Sequence, residues 1–89
     1  MRGPELERLR RAILIVLDAN QTRFGLTLDA LTLHVSTYFP LIQRQMLEPE
    51  LNYLCDKGLI AEVEKKLSPE NRQWKMTADG RDYLAQIES

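Results

Sequence analysis

Few residues in this chain are of a type that carries chemistry, and their spacing decides which chemistry is open to them. His34 is the sole histidine and Cys55 the sole cysteine. A metal site needs several ligands, and Asp29, the acidic residue nearest His34, has the wrong helical spacing to share its face. Cys55 has no Cys-x-x-Cys partner and no histidine close in sequence, so it reads as a small packing residue rather than a nucleophile or redox sensor. There is no glycine-rich phosphate loop, no carboxylate dyad and no serine–histidine constellation. The expectation is a protein that is not an enzyme and takes no cofactor or metal.

The other candidates are charged. Twelve basic side chains face 13 acidic ones, for a net charge of -1. That balance weighs against a strongly nucleic-acid-binding surface, although local clustering decides the matter. Lys65, Lys66, Arg72 and Lys75 stand among Glu62, Glu64 and Glu70, and Arg44 and Lys57 stand among Glu48, Glu50 and Asp56. Positive charge is slightly concentrated over 59–77, and the segment after it is acidic. The four cations over 65–75 have two readings: a phosphate grip, or a charged ribbon paired across strands with its own carboxylates. Arg8, Arg10 and Arg11 form a basic run near the N-terminus, best explained by an i,i+4 pairing of Glu7 with Arg11.

These residues must be positioned by elements legible in the apolar spacing. Pro4, Glu5 and Glu7 suit a helix start. Leu6, Leu9, Ile13, Val16 and Leu17 then form one helical face, widened by Ala12 and Leu14, with Asn20 as a stop. A loop over 21–26 contains Gly25 and a minimal strand at Arg23–Phe24. Thr27 caps a second helix, with Asp29 in its first turn and Leu28, Leu31, Val35 and Tyr38 on one side, ended by Pro40.

The third helix has two readings, because Pro49 interrupts the stripe of Leu47, Leu51 and Leu54. It starts near Glu48 with Pro49 in its first turn, or near Gln43 with a bend at Pro49. The helix-forming Gln43, Arg44 and Gln45 favour the longer version. Gly58 stops it. Residues 59–67 and 72–77 alternate as an antiparallel hairpin, turned by Ser68-Pro69-Glu70-Asn71, with Trp74 and Met76 facing the core. Thr77 caps a last helix, Ala78–Ile87, whose Tyr83, Leu84 and Ile87 point one way.

This order of parts, with the junction Lys57-Gly58-Leu59-Ile60 and the exit Thr77-Ala78-Asp79-Gly80, resembles bacterial winged helix-turn-helix proteins of the MarR and PadR kind. A second similarity is to small winged-helix proteins of Mu-like prophages, which share a Leu-x-Tyr-Leu-x-x-x-Gly-Leu stretch like Leu51–Leu59. The resemblance implies an α+β fold with a three-helix core, a β-hairpin wing and a C-terminal helix. It also implies that Ala30–Tyr38 supports a recognition helix at Gln43–Lys57, with Ser68–Asn71 as the wing tip. The function it implies is binding of double-stranded DNA by a bacterial or phage transcription regulator. Gln43, Arg44, Gln45, Glu48 and Asn52 would then enter the major groove, with Arg44 on guanine and Gln45 or Asn52 on adenine. Lys65, Lys66, Arg72 and Lys75 would hold phosphates. The chain departs from that pattern at Pro49 and at the acidic Glu48, Glu50, Asp56 and Glu70. The alternative is a winged-helix module that binds a protein partner without DNA.

At 89 residues, 44% hydrophobic and 28% charged, the chain suits a single domain spanning 1–89. One cysteine excludes an internal disulfide and points to a reducing compartment, the cytoplasm. The longest apolar run, Ala12–Leu17, is too short to span a bilayer, and the N-terminus lacks the marks of a signal peptide, so no membrane association is expected. The apolar surplus on the first helix is consistent either with closing the domain or with burial against a second copy as a homodimer.

Overall fold

The computed structural model describes residues 3–21, 25–63 and 72–88. Lys65, Lys66, the turn at Ser68–Asn71 and the strand expected at Arg23–Phe24 lie outside them. The order of elements is α1 (Gly3–Ala19), β1 (Leu26–Thr27), α2 (Leu28–Val35), α3 (Arg44–Asp56), β2 (Ile60–Val63), β3 (Gln73–Met76) and α4 (Ala78–Glu88). The described residues are therefore α+β, with four helices around a small antiparallel sheet of order β1-β3-β2. This layout is compatible with a winged helix.

Burial of the α1 stripe builds the centre of the core. Leu9, Ile13, Leu14, Val16 and Leu17 are all buried within the chain, packed with Leu31, Val35, Leu47, Leu51, Leu54 and Trp74. These residues of α1 pack against α2, β3 and α4, whereas Leu6 of the same stripe is only half-buried. Asn20 ends α1 with its side-chain amide donating to the Val16 carbonyl at 2.8 Å.

Thr27 caps α2 as expected, its hydroxyl accepting from the Ala30 N–H at 3.2 Å. The helix stops at Val35 rather than running to Tyr38. The backbone tightens there into i→i+3 bonds, Thr37 N–H to His34 O at 3.2 Å and Tyr38 N–H to Val35 O at 2.9 Å, and the Ser36 hydroxyl donates to the Leu33 carbonyl. Ser36 and Thr37 offer the kind of local hydrogen bonding that competes with a helical ladder. Tyr38 is consequently exposed and does not share the buried side of Leu31 and Val35.

The third helix is the longer of the two readings, starting at Arg44 with Pro49 inside it. Pro49 lies on the exposed side of this helix. The stop at Gly58 is a complete Schellman motif: the Leu59 N–H reaches Leu54 O at 3.0 Å, and the Gly58 N–H reaches Cys55 O at 2.9 Å. Gly58 holds a φ of +74°, the left-handed value that this cap requires.

In the sheet, Ile60 pairs with Met76 and Glu62 with Trp74. Trp74 and Met76 point into the core as their alternation implied, whereas on β2 the buried residue is Ile60, opposite Met76, and Ala61 and Val63 are only half-buried. The third strand of the sheet, β1, pairs with β3 through Leu26 opposite Trp74 and Thr27 opposite Gln73.

Thr77 connects α3, the sheet and α4. Its hydroxyl donates to the Gly58 carbonyl at 2.7 Å and accepts from the Gly80 N–H at 3.0 Å, while its backbone N–H reaches Leu59 O at 3.2 Å. Gly80 is buried so close to this turn that a methyl group added to it would overlap the Leu59 carbonyl. The expected apolar face of α4 is narrower than the spacing implied. Leu84 is buried beside Gly80, whereas Tyr83 and Ile87 stay partly exposed.

Candidate nucleic-acid interface

The outer face of α3 is polar and uncovered. Gln43, Arg44, Gln45, Glu48 and Asn52 are all exposed. Their placement follows from the helix period: Leu47, Leu51 and Leu54 take the inner stripe, which leaves Gln45, Glu48 and Asn52 on the outside.

Several of these side chains are engaged within the chain. Arg44 Nε is 2.9 Å from Asp29 Oδ1 on α2. The two side chains are 63% and 74% exposed, so water screens the pair and it is worth at most about 1 kcal/mol. Gln45 Nε2 donates to Gln43 Oε1 at 2.6 Å.

The structure brings Asn52 of α3 and Arg72 of the strand pair together. They line one cleft of about 750 Å³ between α3 and β2–β3, shared with Cys55, Asp56, Ala61 and Glu62. Arg72 is stacked on the Trp74 ring at 5.0 Å and donates through Nε to Glu62 Oε1 at 2.8 Å. This is the cross-strand pairing with a carboxylate that an ordinary charged ribbon would make. Glu48 lies near enough to Arg72 to favour its charged form electrostatically, though less than the Glu62 hydrogen bond does. Lys75, exposed on β3, alternates to the opposite face of the sheet from Trp74 and is not part of this cleft. Lys65 and Lys66 fall outside the described residues.

Cys55 is half-buried beside the cleft, and burial, then the charge of Glu62, pushes its thiol above the ordinary value. A thiol held protonated is a poor nucleophile. His34 is exposed on α2, and among the described residues no cluster of His, Cys, Asp and Glu has the arrangement to hold a metal ion. No helix of the described residues is long and apolar enough to cross a membrane.

Spacing alone missed two features that bear on α3. Glu50 is buried on its inner side and meets Arg10 of α1, Nε to Oε1 2.7 Å, with the Arg10 guanidinium also 3.7 Å from the Tyr53 ring centre. The signal was present: Glu50 falls three residues after Leu47 and four before Leu54, on the buried stripe. Arg11 pairs with Glu88 of α4 at 2.9 Å, not with Glu7 as its spacing suggested. No protein-family model, curated protein or solved structure matches the chain.

Proposed function

We propose that the chain is a small winged helix-turn-helix protein that binds double-stranded DNA, a transcription regulator of bacterial or phage origin working in the cytoplasm. In this reading α3 enters the major groove and the β2–β3 side approaches phosphate. The observation that carries it is the uncovered polar face of α3 with Asn52 beside Arg72 across one cleft. An asparagine amide on such a face matches the adenine edge, donor to acceptor and acceptor to donor. Arg72 would exchange Glu62 for a phosphate oxygen, and Arg44 would exchange Asp29 for a guanine edge or a phosphate. Because both ion pairs are exposed, each exchange costs little.

The test is duplex binding by fluorescence anisotropy across a salt series. Affinity is expected to fall with salt at a log–log slope of about -0.9 per phosphate contacted. Asp29→Asn frees Arg44 and is expected to tighten binding by up to about fivefold, the equivalent of the exposed pair it removes. Asn52→Ala is expected to relax sequence preference while leaving the salt slope unchanged. Absence of binding at low salt, on random and native-locus duplexes alike, would end this reading.

A second reading has its own observation. Arg44 and Arg72 are each held by a carboxylate, and Glu48 and Asp56 remain exposed on the same side. That pattern repels phosphate and favours a module that binds a protein partner without DNA. Under this reading Asp29→Asn changes nothing in the duplex assay.

A further inference from the structure

On the flank of α3 away from the sheet, a second trough of about 750 Å³ runs between α1, the end of α3 and α4. Its accessible apolar surface comes from Pro4, Ile87 and the half-buried Leu59, laid over the buried Leu14 and Leu54. Tyr53 and Tyr83 stand along it, 38% and 43% exposed. Such side chains offer a large apolar surface with a hydrogen-bonding tip, a composition enriched where proteins meet one another.

The rim is basic. Arg8, Arg11 and Lys57 are all exposed along it, and Glu7 is the one acidic residue in the lining. Arg11 is held by Glu88, whereas Arg8 lies 5.6 Å from the Phe39 ring and Lys57 5.6 Å from the Tyr53 ring. These aromatic contacts orient the two cations without neutralising them.

We propose that this trough is a docking site for an acidic amphipathic helix of a partner protein. Three features argue for that occupant. The stretch of α1 from Pro4 to Leu14 gives the trough a length of about 15 Å, the span of roughly ten helical residues. The apolar floor wants an apolar stripe, which a helix supplies at i, i+3, i+4 and i+7. The cationic rim wants carboxylates beside that stripe, and steers them in. A duplex fits poorly by comparison, since its phosphates gain nothing from Pro4, Leu59 and Ile87.

The test is selection of a displayed library of random 14-residue peptides on the intact chain. Individual peptides are then measured by anisotropy and mapped by amide chemical shifts. The expected result is a pool carrying Leu, Phe or Trp at helical spacing with Asp and Glu beside them. These peptides should shift Leu14, Tyr53 and Tyr83, and weaken at least tenfold on the Arg8→Glu, Lys57→Glu double variant. Both residues are exposed and free of ion pairs in the described structure, so the variant should keep its melting temperature; Tyr83→Ala serves as an independent probe should it not. Binding should be indifferent to Asn52→Ala, which separates this site from the duplex-binding face. An unenriched pool, enriched peptides that map elsewhere or ignore both variants, or the same rim variant instead lowering duplex affinity, would overturn the proposal.

Discussion

Gly80→Ala is expected to destabilise the chain by about 3 kcal/mol, the upper part of the range for overpacking a tight site. In a domain of this size that is a fall in melting temperature of roughly 12–24 °C. The added methyl would overlap the Leu59 carbonyl, and the Met76 sulfur is also close. A flexible side chain could yield, but the carbonyl belongs to the turn that also accepts the Thr77 N–H, so relief means moving α4 off the sheet. Gly58→Ala is the control. Its φ is +74°, but the space around a new Cβ is open, so only the left-handed backbone is penalised, at about 1 kcal/mol. Urea denaturation of both variants checks this pair. Equal losses, or a Gly80→Ala protein that melts with the parent, would mean that α4 does not seat on Leu59.

Glu50→Ala is expected to cost about 2 kcal/mol, less than for a fully enclosed pair because Arg10 keeps some water. The side chains of Arg10 and Glu50 are 27% and 10% exposed. Removing the carboxylate leaves a guanidinium largely enclosed between α1 and α3, supported only by the Tyr53 ring. Arg10→Ala should cost a similar amount, with the lost packing of its alkyl stem added. The double replacement Arg10→Met, Glu50→Leu should return close to the parent, since apolar pairs of similar volume often replace enclosed ion pairs without loss. A double-mutant cycle by chemical denaturation measures the coupling, and a value indistinguishable from zero would remove the clamp from the account. The clamp bears on function because it ties α3 to α1 on the side opposite the strand pair. In the DNA reading it sets the angle at which Gln45 and Asn52 are presented.

The legible parts of this fold are those written in local chemistry. Gly58 after Lys57 announced a stop because the left-handed cap is a property of one residue and its immediate neighbours. Thr77 announced a start for the same reason, and Trp74 with Met76 showed the inner face of β3 by alternation. Contacts between distant segments were less visible. Arg10 and Glu50 are 40 positions apart, and each reads locally as one charge in a cluster, with nothing to single out its partner. Arg11 found Glu88 at a separation of 77 because α4 packs along α1, a fact absent from the spacing of either helix. The narrow seat of α4 has the same origin: the backbone approaches Leu59 at Gly80, and Tyr83 and Ile87 are left at the edge. At the candidate interface, the outward placement of Gln45, Glu48 and Asn52 came with the winged-helix resemblance, and all three are exposed. Spacing gave no hint that Asp29, on another helix, already occupies Arg44.

Pro49 has one further consequence for the outward side of α3. Its nitrogen carries no hydrogen, so the carbonyl oxygen of Gln45, one turn earlier, has no helical donor at that position. A main-chain acceptor that lacks its usual donor thereby belongs to a turn whose side chains include the exposed Gln45 and Glu48. Any partner that supplies an amino group there would be recognised in part by an atom common to every residue type. Alanine scanning of the neighbouring side chains would leave that atom in place, and only replacement of the proline itself would silence it.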